Sequence, residues 1–220
     1  MIEILGIRSS HLPDGDRLER MMDRSLLAAW QAQHKRLRDP EGRRASLAGL
    51  LLLQAMGMRG DLIYDQVGRP CFGDGRVDFN ITHTDGAVFC AVERLDGEAS
   101  VTARVGLDAE NAVRIGRLQR DGMARRWFSG NECAQYFADP SADAFLQIWT
   151  RKEALIKWTG EGLAALGRAD TTHARSVYGV DFRSYAEGAE RITLCYRREA
   201  TTPESVRMLD GEMLVRLCGR

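Results

Sequence analysis

The most informative stretch of this chain is residues 149–157, which read Trp-Thr-Arg-Lys-Glu-Ala-Leu-Ile-Lys. Drawn as an α-helix, this stretch and its apolar neighbours form a stripe of the kind that faces a protein core. Lys152 falls in the middle of that stripe and Glu153 at its edge, where a charge costs free energy unless it is paired. Glu153 and Lys157 are four residues apart and therefore neighbours on the helix surface. One interpretation is an exposed Glu–Lys pair with Lys152 extending its charge past the core; the other is a set of charges arranged for a ligand.

A second cluster of charge lies in residues 105–110, where apolar residues alternate with small or acidic ones. Because side chains alternate along an extended strand, Asp108 and Glu110 are predicted to share a face, roughly 7 Å apart. Carboxylate oxygens with no His or Cys nearby suit magnesium completed by water and a substrate phosphate. Gly106, which has no side chain, leaves room for something bulky to approach. The alternative is an ordinary strand end with two solvated acids.

The composition is that of a soluble enzyme. Hydrophobic residues make up 44% of the 220 residues and charged residues 28%, which is an ordinary globular balance. Lys plus Arg and Asp plus Glu number 31 each, so the net charge gives no signature of nucleic-acid or membrane binding. Five widely spaced cysteines predict reduced thiols and a cytoplasmic protein. No signal peptide and no apolar run long enough to cross a bilayer is recognisable.

Hydrophobic periodicity predicts an α+β fold built from two halves. Helices are predicted over residues 17–35, 43–56, 112–127, 131–137 and 142–157. Strands are predicted over residues 2–8, 78–83 and 87–92, in a segment ending at Asp108, and over 176–182, 191–196 and 212–218. The order of helices followed by strands occurs twice, which predicts halves of residues 1–104 and 105–220 that meet near residue 105. The acidic residues of both clusters would then lie near the seam, where ligand sites tend to form.

Basic residues suggest a place for phosphate in the first half. Arg44 and Ser46 lie near the start of the predicted helix over 43–56, where backbone amides and the helix dipole favour an anion. Arg44 also belongs to a basic cluster that could meet an anionic ligand or form a solvated face; its members are Lys35, Arg36, Arg38, Arg43 and Arg44. His83 ends a predicted strand just before a turn at residues 85–86, which suits a local hydrogen-bonding role as well as a catalytic one.

In combination these motifs resemble a known family. The chain looks like a 4′-phosphopantetheinyl transferase of the longer, pseudo-dimeric type that activates nonribosomal peptide, polyketide and related synthetases. The residues that carry the resemblance are Gly68-Arg69-Pro70, Phe79-Asn80-Ile81-Thr82-His83-Thr84, Val105-Gly106-Leu107-Asp108-Ala109-Glu110, Phe128-Ser129-Gly130-Asn131-Glu132 and the run 149–157. These motifs occur in the family's order and at family-like spacing. The chain departs from the pattern at Glu161, where many relatives have a basic residue, and the family's C-terminal strand is represented only faintly by residues 211–215.

The resemblance implies a fold, a reaction and a set of roles. The fold would have two similar α/β halves related by a pseudo-twofold axis, and the protein would act as a monomer. Family members move the phosphopantetheine arm of coenzyme A onto a serine of an apo acyl or peptidyl carrier protein and release adenosine 3′,5′-bisphosphate. Asp108, Glu110 and Glu153 would hold magnesium. Glu153 would also take the proton of the serine hydroxyl, and Lys157 would steady the phosphate or the departing oxygen. The residues placed at coenzyme A by the resemblance are Arg44, Ser46, Arg69, Thr82, His83, Asp108, Lys152 and Lys157.

Two other functions stay open from the residues alone. One is a magnesium-dependent phosphohydrolase acting on coenzyme A or a nucleotide, and the other is a non-catalytic module that binds carrier proteins. Family carriers present an acidic helix, so a basic surface is expected to receive it. The candidates for that surface are Arg114, Arg117, Arg120, Arg125 and Arg126. A solvated helix face explains these arginines equally well.

Overall fold

A computed structural model describes residues 1–33, 39–66, 68–73, 75–96, 102–113 and 116–219. The strands are β1 (Ile2–Arg8), β2 (Ile63–Tyr64), β3 (Pro70–Cys71), β4 (Val77–His83), β5 (Ala87–Arg94), β6 (Val105–Asn111), β7 (Val180–Glu187), β8 (Glu190–Arg197) and β9 (Arg207–Leu209). The helices are α1 (Gly15–Met21), α2 (Arg24–Gln33), α3 (Pro40–Ala55), α4 (Arg117–Trp127), α5 (Gly130–Ala138), α6 (Ala142–Thr159), α7 (Ala174–Tyr178) and α8 (Gly211–Cys218). The predicted α+β class is confirmed.

The two sheets repeat one topology. The first sheet has the strand order β4-β5-β1-β9, and the sheet of the second half has the order β6-β8-β7. In each half a first strand is followed by helices, three in the first half and four in the second, and later by an antiparallel pair of strands. The strand of this pair that comes first in the sequence lies at an edge of its sheet, and the other lies beside the first strand of the half. The order β4-β5-β1 therefore corresponds to β7-β8-β6. This topological repeat agrees with two similar halves, while the pseudo-twofold axis stays a prediction.

Three apolar cores hold these layers together. One lies between helices α1, α2, α3 and α8 and the first sheet, and another lies around α4, α5 and α6. The third fills the space between the two sheets, where Ile4 and Phe89 from the first sheet share a core with Leu107 and Leu194 from the second. Because burial of this apolar surface favours contact between the sheets, the seam is an integral part of the fold.

The first predicted helix is two helices, broken at Asp23. The Asp23 carboxylate accepts hydrogen bonds from the backbone amides of Ser25 (2.9 Å) and Leu26 (3.4 Å) at the start of α2. The side chain of Gln54, on α3, accepts from the Asp23 amide (2.7 Å) and donates to the Met21 carbonyl (3.0 Å). A buried amide side chain on a neighbouring helix thus satisfies the backbone groups that the break exposes.

The C-terminal segment differs most from prediction. Residues 212–218 were expected to form a strand but belong to α8, whose first turn is capped by Asp210 through the Met213 amide (2.8 Å). Strand β9 pairs in parallel with β1, and α8 packs in the core of the first half. The chain therefore returns to the first half after residue 206, whereas the predicted boundary assigned everything after residue 104 to the second. Residues 174–178, in part also predicted as strand, form α7.

None of the helices in the described ranges combines the length and apolar character that crossing a bilayer requires.

Candidate active site

The seam is formed by the edge strands β4 and β6, which lie side by side. Asp78 and Asn80, on one side of β4, accept hydrogen bonds from the backbone amides of Val105 (2.8 Å) and Leu107 (3.1 Å) on β6. The carbonyls of those same β6 residues accept from Arg69 (2.9 Å) and Lys157 (3.1 Å), respectively. Side chains thus satisfy this edge of β6, which forms no backbone ladder with β4.

Helix α6 packs directly on β6 at Gly106. A Cβ atom at Gly106 would lie 2.0 Å from the Ala154 carbonyl oxygen and 2.8 Å from the Trp158 amide nitrogen, so no side chain fits. The bulky group for which the sequence left room at Gly106 is therefore the helix itself. Because Gly106, Asp108 and Glu110 alternate along β6, the same packing brings α6 over both carboxylates.

Asp108 lies at the centre of the site. Its Oδ1 accepts a hydrogen bond from Lys157 Nζ at 2.7 Å and lies 3.5 Å from the Thr82 hydroxyl. Lys157 Nζ also lies 3.3 Å from that hydroxyl, so β4, β6 and α6 meet at one point. Asp108 is only 5% exposed, and its Oδ2 is buried without a hydrogen-bond partner among the described residues. A buried carboxylate oxygen without a donor has unused capacity for a cation.

Two further carboxylates share the electrostatic field of Asp108. Burial, followed by the charge of Asp108, raises the pKa of Glu110, whose Oε1 accepts from the Trp149 indole at 3.2 Å. Burial, followed by repulsion from Asp108, raises the pKa of Glu153 to about 7, against the opposing effect of Lys157. Among the described ion pairs, the cation that meets this cluster is Lys157, which pairs with Asp108. Three carboxylates therefore face one lysine.

This donor set fits a hard divalent cation in its chemistry. All three groups are carboxylates, one oxygen of Asp108 lacks a hydrogen-bond partner among the described residues, and burial, followed by the charge of Asp108, raises the pKa values of the other two acids. Within the part of the chain that the structure describes, however, no three His, Cys, Asp or Glu side chains are gathered closely enough to hold a metal ion. Lys157 supplies the positive charge at Asp108 in this arrangement.

A cavity of about 180 Å³ lies at the first-half end of the seam. Arg44 and His83, predicted at coenzyme A, both line it, although they come from α3 and from the exposed end of β4. The Arg44 guanidinium donates to the carbonyls of Pro13 (2.9 Å) and Leu12. Burial and the charge of Lys157 lower the pKa of His83, so its imidazole lies within the field of the lysine.

Ser46 is not brought to this cavity. Its hydroxyl accepts a hydrogen bond from the buried Trp30 indole at 2.8 Å, which engages it inside the first half. The predicted start of the helix at residue 43 is wrong, because α3 begins earlier, at Pro40. The Asp39 carboxylate caps it by accepting from the amides of Glu41 (3.3 Å) and Gly42 (2.8 Å), which an anion would otherwise bind. The cluster members Lys35, Arg36 and Arg38 lie outside the described residues.

Lys152 is not at the site either. Its side chain is fully buried, and Nζ donates to Glu132 Oε2 at 2.8 Å and to the Ala169 carbonyl. Glu132 also accepts from the Ser129 amide (2.8 Å) and from the amide and hydroxyl of Thr171 (2.9 and 2.7 Å). The expected anionic partner of Lys152 is therefore a protein carboxylate and not a ligand. The Ser-x-x-Glu capping box at residues 129–132 was the sequence signal that could have placed Glu132 inside.

Arg69 is likewise engaged by protein oxygens, those of Asp78, Phe79, Val105 and Lys157, and not free for a nucleotide as predicted. Sequence reasoning also missed Trp149, which holds Glu110, and the β4 residues Asp78 and Asn80. The alternation of polar side chains at residues 78, 80 and 82 was the available signal for the β4 pair.

The predicted basic surface is described only in part. Arg125 stacks on the Phe137 ring at 5.1 Å and Arg126 on the Trp127 ring at 4.7 Å. Both arginines are exposed and lie in the C-terminal turn of α4. The guanidinium groups of α4 therefore lie beside aromatic surface. Arg114 and the side chain of Arg117 lie outside what the structure describes.

Comparison with known proteins places this site in a family. A family model described as the 4′-phosphopantetheinyl transferase superfamily matches residues 104–202, which include the acidic strand and α6. The chain is 29% identical over 150 residues to 4′-phosphopantetheinyl transferase HetI of Nostoc sp., covering 61% of this chain and 60% of HetI. It is 32% identical over 103 residues to Sfp of Bacillus subtilis, covering 45% of this chain and 41% of Sfp. With 4′-phosphopantetheinyl transferase AcpT of Salmonella typhimurium it is 34% identical over 140 residues, covering 60% of this chain and 68% of AcpT.

The match thus spans less than two thirds of HetI and of Sfp but more than two thirds of AcpT. The seam between the two sheets is rich in carboxylate oxygens. The chain belongs to the 4′-phosphopantetheinyl transferase superfamily.

Proposed function

We propose that this protein transfers the 4′-phosphopantetheine group of coenzyme A to a serine of an apo acyl or peptidyl carrier protein. The observation that carries the proposal is the meeting of Asp108, Lys157 and the partly neutralised Glu153 in one seam. Family membership and the printed names of HetI, Sfp and AcpT support the same reaction. Because phosphoryl transfer depends mainly on alignment and charge neutralisation, a seam of fixed charges suits it.

The proposed reaction is a displacement at the phosphorus atom of the phosphopantetheine phosphate. The carrier serine oxygen forms a bond to the phosphorus of the phosphopantetheine phosphate, and the bond from that phosphorus to the bridging pyrophosphate oxygen breaks. The electron pair leaves with adenosine 3′,5′-bisphosphate, and Glu153 takes the serine proton. A carboxylate that reaches the serine hydroxyl can act as its general base. Lys157 places positive charge beside the phosphate oxygens.

Asp108, Glu110 and Glu153 are the residues that would hold magnesium. When bound, the ion neutralises pyrophosphate oxygens and aligns them as a Lewis acid. The Asp108 Oδ2, which has no hydrogen-bond partner among the described residues, supports a cation requirement. Burial, followed by the charge of Asp108, raises the pKa values of Glu110 and Glu153 and so disfavours their ionised forms, which a bound cation would favour.

The cavity lined by Arg44 and His83 is the proposed place for the nucleotide end of coenzyme A. Thr82 and His83 are consecutive on β4, and the Thr82 hydroxyl lies at the Asp108–Lys157 pair. Coenzyme A bound with its nucleotide in the cavity would therefore lead its pyrophosphate toward the carboxylates. A single chain supplies both ends of this path, which agrees with a functional monomer. The free cysteines agree with the cytoplasmic location that we propose.

The surface proposed for the carrier protein is the basic end of α4. Arg125 and Arg126 combine positive charge with the aromatic rings of Phe137 and Trp127. An acidic, partly apolar helix of a carrier protein would complement this combination. Helix α4 and helix α6, which carries Glu153, share one core, so a carrier docked on α4 would present its serine toward Glu153.

Intact-mass measurement tests the proposal. Purified protein is incubated with coenzyme A, magnesium and several apo carriers, and the mass added to each carrier is recorded. We expect one phosphopantetheine on the carrier serine, no addition after chelation of the metal or on a Ser→Ala carrier, and a 10²- to 10⁴-fold slower rate for Glu153→Gln, roughly the contribution of a general base. Adenosine 3′,5′-bisphosphate released without any acceptor would instead identify a phosphohydrolase. Coenzyme A binding with no turnover on any carrier would identify a binding module.

A further inference from the structure

We propose that Arg69 is a positioning residue for Lys157: it clamps the last turn of α6 to the seam and does not bind coenzyme A. The inference rests on the proposed function for the role of Lys157 in transfer. The clamp itself rests on the contacts of Arg69 with three separate elements of the fold.

The first observation is that the last carbonyls of α6 are all satisfied. Gly160, in the left-handed conformation, donates its amide to the Ile156 carbonyl at 2.8 Å. Arg69 donates to the Lys157 carbonyl, and Arg104 donates to the carbonyls of Trp158 and Thr159 (2.6 Å for the latter). Helix ends ordinarily leave these groups to water or to local caps. Here two arginines from outside the helix cap them.

The second observation is that one guanidinium joins three elements. Besides Lys157 on α6, Arg69 contacts the Asp78 carboxylate and the Phe79 carbonyl (3.3 Å) on β4, and the Val105 carbonyl (2.9 Å) on β6. The Arg69 side chain is 13% exposed and that of Asp78 is 11% exposed. The fork of a guanidinium can serve several oxygens at once, which a single ammonium cannot. Arg69 therefore holds the end of α6 to both strands of the seam.

The third observation concerns charge. Asp78 neutralises Arg69 at close range, and the Asp78 carboxylate also accepts from the Val105 amide at 2.8 Å. Lys157 is likewise paired with a carboxylate, that of Asp108, so exposure and not pairing distinguishes the two cations. Lys157, in contrast, has a side chain 28% exposed and lies at the partly open site. The group suited to meet phosphate is the lysine, and the group suited to hold the lysine is Arg69.

The clamp acts on Lys157 through its backbone. Along the edge of β6, Arg69 binds the Val105 carbonyl and Lys157 Nζ binds the Leu107 carbonyl, so the two cations occupy consecutive outward-facing positions. Lys157 is then held at both ends, by its own carbonyl and by Nζ on Asp108. Release of the carbonyl would let the last turn of α6 move and carry Nζ away from Asp108.

Arg69→Ala and Arg69→Lys test the clamp, with the exposed Arg59→Ala as the matched control. The measurements are kcat and KM in carrier transfer, the Kd of coenzyme A by calorimetry, and amide hydrogen exchange of residues 155–160. We expect kcat to fall about 10- to 100-fold in Arg69→Ala, as for a small misplacement of a catalytic group. In Arg69→Ala the Kd of coenzyme A should stay within about 2-fold, and hydrogen exchange of residues 155–160 should accelerate. The fall in kcat and the faster exchange should both be smaller in Arg69→Lys, which keeps the charge. Arg59→Ala should change none of these.

The opposite pattern overturns the inference. A Kd for coenzyme A raised about 10-fold or more, with kcat at saturation and hydrogen exchange unchanged, would make Arg69 a nucleotide ligand. If the wild-type protein transfers nothing, the proposed function fails, and exchange at residues 155–160 still decides the clamp. Unchanged exchange in Arg69→Ala would then reject it. If Arg69→Ala does not fold, Arg69→Lys supplies the same comparison.

Discussion

Lys157 Nζ lies 2.7 Å from Asp108 Oδ1, and this pair joins the last turn of α6 to the acidic strand β6. The two residues are 49 positions apart in the sequence. Because Glu110 and Glu153 lie in the same field, one lysine balances one of three carboxylates. The negative charge that remains sets the properties of the site and leads to the predictions that follow.

Asp108→Asn should reduce the electrostatic repulsion among the three carboxylates of the site. Asp108 is the largest charge effect that raises the pKa of Glu153, after burial, so removing its charge should lower the Glu153 pKa. The same change should abolish any increase in thermal stability on adding magnesium, because a ligand is lost. NMR titration of labelled glutamate and thermal unfolding with and without magnesium measure the two effects. Asp143→Asn, at an exposed position on α6, is the control and should leave both unchanged.

Glu153→Gln should stabilise the metal-free protein at alkaline pH. The folded pKa of about 7 lies above the ordinary 4.5, so the folded state binds more protons than the unfolded state between these values. The contribution of Glu153 to stability is therefore present below about pH 4.5 and is lost as pH rises through about 7. At pH 8, Glu153→Gln should raise the free energy of unfolding by about 1–3 kcal/mol, measured by urea denaturation without metal. An equal or lower stability of Glu153→Gln at pH 8 would contradict this account.

Lys152→Met should destabilise the protein without weakening coenzyme A binding. It leaves the Glu132 carboxylate buried without its cation, which costs about 3–5 kcal/mol in such pairs. Lys152→Met combined with Glu132→Gln should recover part of that loss, because no uncompensated charge stays buried. Denaturant unfolding measures the stabilities and calorimetry the Kd. A raised Kd in stably folded Lys152→Met would restore the ligand-binding role that the sequence suggested.

Gly106→Ala should disturb both stability and turnover. The new methyl group would meet the Ala154 carbonyl and the Trp158 amide, which are backbone atoms, so α6 must move off β6. We expect a loss of about 2–3 kcal/mol from overpacking and a fall in kcat of roughly 10²-fold from displacement of Glu153 and Lys157. Gly122→Ala is the matched control, because its Cβ enters open space on α4 and should stabilise the helix by about 0.5–1 kcal/mol. Wild-type activity in Gly106→Ala would show that the contact does not position the site.

Much of the fold followed from local pattern. The periodicity of residues 142–157 predicted α6 to within two residues, and alternation predicted β1, β4 and the shared face of Asp108 and Glu110. These elements were predictable because their side chains repeat at the period of one secondary structure over several turns or pleats. Residues 212–218 were not, because seven residues of mixed pattern are too few to separate helix from strand. These residues are helical because their apolar side chains pack against the core of the first half.

The sequence by itself determined the types of charge at the site and the spacing of Glu153 and Lys157 on one helix. It did not determine which charge meets which partner. Lys152 and Lys157 differ by five positions on α6, yet one faces the buried Glu132 and the other faces Asp108 in the seam. Arg69 meets the Lys157 carbonyl across 88 residues of chain. Helical period sets the direction of a side chain, but the packing of distant segments decides what lies in that direction, and so only the tertiary structure separated the charges of the core from those of the site.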